Sequence, residues 1–295
     1  MPQTDPGLLA ALPEDWPAGR FVGRMDFGDG PSPVLVVNGQ VFDFSRRAPT
    51  VSALLEEGGR VPADGLARGT LTGSMDLLCP IDLQCVKAAG VTFAVSALER
   101  VIEERARGDS SRAAEIRGDL ELRIGTGLRT VKPGSTQAAD LKALLIAEGM
   151  WSQYLEVAIG PDAEVFTKAP VLACVGHGAD IGVRSDSSWN NPEPEIVLVV
   201  NSRGEAVGAT LGNDVNLRDF EGRSALLLGK AKDNNASCAV GPLVRLFDDS
   251  FSLDDVRAAE LTLHVRGPEG FQLTGRSSMS QISRDPLELA RQALS

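Results

Sequence analysis

Two glutamates spaced two apart, Glu193 and Glu195, stand at the mouth of an apolar run, Ile196 to Val200. In an extended chain, side chains two apart share a face, so both carboxylates point the same way. Asn201-Ser-Arg-Gly204 is a turn, and Glu205 to Leu211 runs back towards Gly212-Asn-Asp214. With the turn centred on Ser202 and Arg203, Glu195 faces Thr210 and Asp214 lands just beyond Glu193. Three carboxylates then converge. Such a cluster repels itself unless a cation holds it, and a hard, oxygen-loving divalent ion suits it. The competing account is a solvated acidic rim, since 40 of the 295 residues are Asp or Glu.

Few other reaction centres are on offer. No G-x-G-x-x-G follows a strand, Gly229-Lys230 lacks the rest of a phosphate loop, and no G-x-S-x-G elbow is present. With two histidines, His177 and His264, a Ser-His-Asp triad has few places to form. His264 lies in an alternating strand. His177, in the loop Val175-Gly-His-Gly178, either orients a ligand or makes a structural hydrogen bond.

Composition sets the class. With 43% hydrophobic and 23% charged residues and a net charge of −11, the chain reads as an ordinary soluble globular protein. No basic stripe offsets the acidity, so a nucleic-acid partner is not expected, and no apolar run is long enough for a membrane helix. The N-terminal residues carry no secretion signal, and four cysteines (Cys79, Cys85, Cys174, Cys238) lack paired spacing. Both point to reduced thiols and a cytoplasmic location.

Hairpins dominate the elements that must position these groups. Pro33 to Phe44 is a hairpin around Asn38-Gly39, and Leu261 to Leu273 another around Gly267 to Gly270. Val51 to Glu57 reads as a short helix, Ser96 to Arg107 and Ala138 to Glu148 as longer ones, and Asp162 to Val200 as extended chain. A last helix starts at Pro286, with Asp285 as cap and Glu288 closing a capping box. The pattern predicts an α+β, β-rich fold, mainly antiparallel. The texture changes near residue 80, giving a small N-terminal α+β domain (1–80) and a catalytic domain (81–295).

Phe166-Thr-Lys-Ala-Pro170, Pro192-Glu-Pro-Glu195, Gly212-Asn-Asp-Val-Asn-Leu-Arg-Asp219 and Lys232 with Gly241-Pro242 follow in the order of the fumarylacetoacetate hydrolase superfamily, which the chain resembles from about residue 85 onward. Cys174-Val-Gly-His-Gly178, Val183-Arg-Ser-Asp-Ser187, Trp189 and Ser277 to Pro286 resemble its 2-keto-3-deoxy-pentonate dehydratase branch. The resemblance implies a mixed β-sandwich roll and magnesium (or manganese or calcium in its place) on Glu193, Glu195 and Asp214. It also implies a homodimer or homotetramer and a small sugar-acid substrate, dehydrated to 2,5-dioxopentanoate in pentose catabolism.

Hydrolytic members carry a histidine where this chain has Ser96, three residues before Glu99. A serine is no general base at neutral pH, which counts against an acylpyruvate hydrolase or an oxaloacetate decarboxylase on the same scaffold. In the dehydratase branch Glu164 corresponds to a general base, and Lys232 to a fixed positive charge, with Lys230 an ambiguous neighbour. Arg184, Ser185, Asp186, Lys168 and Ser278 are the substrate-binding candidates. For the Arg184–Asp186 stretch a salt bridge within the loop is the rival account. Arg218 and Asp219 read as a structural pair.

Overall fold

A computed structural model describes residues 7–106, 110–124 and 131–295. The strands are β1 (Arg20–Asp26), β2 (Pro31–Val37), β3 (Gln40–Asp43), β4 (Leu66–Thr70), β5 (Asp76–Leu78), β6 (Val86–Gly90) and β7 (Glu164–Ala169). They continue with β8 (Asn190–Asn191), β9 (Pro194–Val200), β10 (Ala206–Asp214), β11 (Asn216–Leu217), β12 (Cys238–Leu246), β13 (Glu260–Arg266) and β14 (Gln272–Ser278). The main sheet runs β4-β3-β2-β1-β12-β10-β9, with β5 on the remaining length of β1. Its ladders are antiparallel throughout, as the hairpin-rich sequence predicts.

The contacts group the chain differently from a boundary at residue 80. One compact unit joins the residues up to Ala88 with Thr167–Val256, and the other joins Ala89–Phe166 with Arg257–Ser295. The reason is the pairing of β12 with β1: the first 80 residues and the acidic hairpin share one sheet. Val22, Leu35, Phe44, Val51, Leu54, Val199, Val207 and Val244 from both stretches fill one core beside it. Separating them would expose that apolar area to water.

Local sequence accounts for the edges. Asn38 and Gly39 both take positive φ (50° and 72°), the mirror-image turn whose twist suits a two-residue hairpin, between β2 and β3. The short helix Val51–Leu55 takes its cap from Thr50, and the Asp82 carboxylate accepts from the free amides of Val51 and Ser52 at 2.6 and 3.0 Å.

In the other unit, the helices Ala94–Ala106 and Thr136–Ala147 match the expected ones within two residues. Ser110–Ile124 and Gln153–Ile159 are additional, and the second is too short to display a clear 3.6 period. Leu145, Leu155, Ile159, Val101 and Ile102 close their core. The tail segment before the last helix ties this unit together. Ser283 Oγ accepts from Ala94 N, and the buried Arg284 guanidinium donates to the carbonyls of Val157, Gly160 and Asp162. Those carbonyls lie at a helix C-terminus and beyond it, where a cation is favoured. The last helix is Pro286–Leu294, and Asp285 caps Leu287 N as expected. Glu288 forms no capping box; it accepts from Arg284 and Gln292, because the buried guanidinium is the stronger donor.

No helix among the described residues is long and apolar enough to cross a membrane.

Candidate metal centre

Strands β9 and β10 build the acidic site, in a register two residues from the one the turn implied. Glu195 faces Gly212, not Thr210, and Asp214 N donates to Glu193 O at 2.9 Å. The connection is a five-residue loop closed by Asn201 N to Glu205 O, and an irregularity between Ala206 and Gly208 adds one more residue. Asp214 now stands directly opposite Glu193, and Glu195 shares their face.

Two lysines answer these carboxylates. Lys232, last residue of the helix Leu228–Lys232, is 4% exposed. Its ammonium donates to Glu193 Oε2 and, at 3.2 Å, to Asp214 Oδ2. Burial pulls its pKa down, but the charges of Asp214 and Glu193 outweigh that and hold it above its ordinary value. Lys168, on β7, is 1% exposed and lies 3.0 Å from Asp214 Oδ1. Its protons go elsewhere, to the carbonyls of Val215 and Lys232 and to Ser237 Oγ, so Oδ1 remains a buried acceptor with an ion-pair contact and no hydrogen bond.

Asn216, two residues beyond Asp214, was assigned no part by its sequence motif. Its amide donates to Glu193 Oε1 at 2.9 Å and to Glu221 Oε2 at 2.7 Å. Period two from Asp214 was the signal that could have found it. Glu193 thus has a donor on each oxygen, while what acts on the Glu195 carboxyl is the charge of its neighbours. Burial, then the charges of Asp214 and Glu193, push the Glu195 carboxyl up to about 8 against the pull of Lys232. The residue as a whole is exposed, so the like charges are the firmer part of that cause.

Among the described residues no group of three or more acidic, histidine or cysteine side chains is placed so that it could hold a metal ion. In this arrangement the cation shared by Glu193 and Asp214 is the Lys232 ammonium. The donor chemistry still fits a hard divalent ion. It consists of carboxylate oxygens, one of them a buried acceptor without a hydrogen bond and another group crowded into holding its proton.

The other sequence candidates separate clearly. Arg184 and Asp186 pair with each other through two bonds of 2.9 and 2.8 Å, the loop salt bridge, with the guanidinium 5.2 Å from the Phe220 ring centroid. Ser185 between them is exposed. Lys230 is exposed, whereas Lys232 is buried against Glu193 and Asp214. Arg218 bonds Glu221 and not Asp219; Asp219 instead accepts from Ser187 Oγ and Ser188 N. Glu164 opens β7 and belongs to the other compact unit, where a Cβ added to Gly90 would come 2.1 Å from its Oε2. Ser278 ends β14 in that same unit and donates to Glu260. Glu99 holds Arg117 of the next helix through both oxygens. His177 Nε2 is buried without a hydrogen-bond partner, so the structural bond expected of it is not made through that atom.

No family model matches the chain. Over 94 residues it is 44% identical to the 2-dehydro-3-deoxy-D-arabinonate dehydratase of Saccharolobus solfataricus, covering 31% of this chain and 32% of that one. Over 116 residues it is 40% identical to a probable 2-keto-3-deoxyxylonate dehydratase of Haloferax volcanii, covering 39% of each. The matched stretch thus spans about a third of the first relative and about two fifths of the second. A solved 2-keto-3-deoxy-D-arabinonate dehydratase complexed with magnesium and 2,5-dioxopentanoate superposes with a TM-score of 0.65 at 20% identity, over 93% of this chain and 82% of that one. The fumarylacetoacetate hydrolase of Exiguobacterium antarcticum superposes at 0.56 with 16% identity, over 92% and 80%. The chain therefore has the fold of the fumarylacetoacetate hydrolases, and part of its sequence is similar to that of 2-keto-3-deoxy sugar-acid dehydratases.

Proposed function

We propose that this protein is a lyase, a magnesium-dependent dehydratase that converts a 2-keto-3-deoxy-pentonate, derived from D-arabinonate or D-xylonate, into 2,5-dioxopentanoate. The observation that carries the proposal is the crowding of Glu193, Glu195 and Asp214 around one buried ammonium, in a chain whose curated relatives are named for this reaction.

Glu193, Glu195 and Asp214 would hold the ion, which when bound polarises the substrate's 2-keto group and acidifies its C3 hydrogens. Lys232 is then a fixed positive charge beside the developing enolate oxygen, already oriented by its two carboxylate partners. Lys168, with its protons spent on the protein, positions Asp214 and Lys232 and does not bind substrate. Glu164 takes the C3 proton, a role assigned by sequence resemblance. The C4 hydroxyl departs with a proton as water and leaves a C3–C4 double bond; loss of a C5 proton and return of a proton to C3 move that bond to C4–C5, and the resulting enol takes a proton at C4 to become the product aldehyde. Ser96, where hydrolases have histidine, leaves no base for activating water by their route. Arg184, Ser185, Asp186 and Ser278 are assigned to the substrate's carboxylate and hydroxyls on the same resemblance. We place the protein in the cytoplasm, in pentose catabolism, as a homodimer or homotetramer.

The test is turnover of both pentonate-derived 2-keto-3-deoxy acids with Mg2+, coupled to a semialdehyde dehydrogenase that consumes the product. Release of 2,5-dioxopentanoate, abolished by EDTA and restored by Mg2+, is the expected result. No product from either acid, with cleavage of an acylpyruvate, would sink the dehydratase assignment.

A further inference from the structure

Three of the four cysteines, unremarkable in sequence, come together in space. Cys79, Cys174 and Cys238 meet in one apolar cluster with Ile81, Ala169 and Val240. The backbone explains the meeting. Val175 forms an isolated parallel bridge with Ala239, in which Val175 N donates to Cys238 O at 2.9 Å and Val240 N to Val175 O at 3.0 Å. Cys174 and Cys238 therefore stand side by side, one residue before the bridged pair on each chain. Neighbouring strands run about 4.8 Å apart. That lies inside the range of about 4.4–6.8 Å between Cα atoms that a disulfide spans. The chain at Gly176 also comes close to Cys79: a Cβ there would come 2.6 Å from Cys79 N.

We infer that Cys174 and Cys238 are a built-in oxidation site, a dithiol poised to close into a disulfide with hydrogen peroxide as oxidant. One thiolate attacks a peroxide oxygen, giving a sulfenic acid and releasing the other oxygen as water. The second thiol then displaces the sulfenic hydroxyl, which leaves as a second water. Two thiols lose two electrons and two protons, and one peroxide becomes two waters. Cys174 is half-buried and gives peroxide its approach, while Cys79 and Cys238 are 6% and 4% exposed. The position gives the bond a consequence. Cys238 pairs across the sheet with Asp214, and the chain from Cys174 leads into the loop carrying His177 and Arg184, so the bond ties that loop to the strand beside the carboxylates.

The test uses the whole native protein. Hydrogen peroxide is added, thiols are counted under denaturing conditions, and the chain is digested without reduction for peptide mapping. The expected result is loss of two of four thiols, a peptide joining Cys174 to Cys238, and full recovery with dithiothreitol. Cys238→Ser should abolish that peptide, and Cys85→Ser should leave it intact. Four surviving thiols, a bond between chains through Cys85, a bond from Cys174 to Cys79, or irreversible sulfinic acid would each overturn the inference. The mapping is indifferent to what the carboxylates bind, so its failure and that of the dehydratase assignment are separately visible.

Discussion

Strand β12 has a buried charge cluster at each end, and the two are built on opposite plans. At its C-terminal end Arg245 donates to Asp15, to both oxygens of Asp248, to Ser250 and to the Leu246 carbonyl, between the rings of Phe21 and Phe251. Burial pushes the Asp248 carboxyl up, but the bonds from Arg245 and Ser250 outweigh it and bring it down to about 2. At the N-terminal end, across from Cys238, Asp214 shares Lys232 with Glu193, and Glu195 is crowded upward to about 8. One cluster satisfies its acids with donors. The other satisfies Glu193 and one oxygen of Asp214 but leaves Asp214 Oδ1 without a hydrogen bond and Glu195 facing like charges, a repulsion that a further cation would relieve.

The widest separation between the two ends is expected from matched substitutions. Asp214→Asn removes a charge from the crowded end, and turnover of the 2-keto-3-deoxy acid should fall about a thousandfold, the worth of several kcal/mol of lost Lewis-acid stabilisation. Asp248→Asn should leave kcat within about twofold of the parent. Steady-state kinetics on both variants, with circular dichroism to confirm the fold, would break the comparison if Asp248→Asn proved equally damaging.

Lysine offers a second contrast within the crowded end. Lys232→Met should cost about 10²–10³ in kcat, the scale of one lost electrostatic contact to the transition state. Lys230→Met, two residues away and exposed, should cost almost nothing. Equal losses would mean that burial in the carboxylate cage is no guide to function here.

The satisfied end should reveal itself in stability. Asp248→Asn weakens hydrogen bonds to a buried cation, an effect of about 1.5–3 kcal/mol in chemical denaturation. The pH dependence has a definite sign. Because folding depresses the Asp248 pKa, its contribution is complete above the unfolded value near 4 and drains away as pH falls towards 2. The parent should lose thermal stability steeply across that window, and the variant less steeply.

How much of this was legible beforehand depended on whether a signal was local. The Glu193, Glu195 and Asp214 cluster could be read from period two and one turn, because a hairpin is a local object. Even there the register was off by two, since neither the five-residue loop nor the bulge leaves a mark on the apolar pattern. The choice of Lys232 over Lys230 came from resemblance and is supported by burial, a property of the helix that carries them. What could not be read is long-range. The β1–β12 pairing that fuses the first 80 residues to the hairpin's sheet leaves no trace in either segment alone. The same holds for Arg284 beneath a helix end 124 residues away, and for three cysteines brought together from positions 79, 174 and 238. The Arg245 cluster is split between the two cases: Asp248 is three residues away, whereas Asp15 comes from 230 residues off.

The smallest effect tests the comparison at its root. With the Glu195 carboxyl up at about 8, at neutral pH it holds a proton that a divalent cation must displace. The linkage fixes the direction: Mg2+ affinity should rise about tenfold per pH unit below 8 and flatten above it. Calorimetry in two buffers of different ionisation enthalpy reads the displaced proton directly. About one proton should be released per Mg2+ at pH 7 and almost none at pH 9. Glu195→Gln should bind Mg2+ more weakly and with no such slope. If the parent releases no proton at pH 7, Glu195 is already ionised and belongs with Asp248 among acids that the protein itself has satisfied. The difference between the two ends of β12 would then lie in what each end binds, and not in how its charges are balanced.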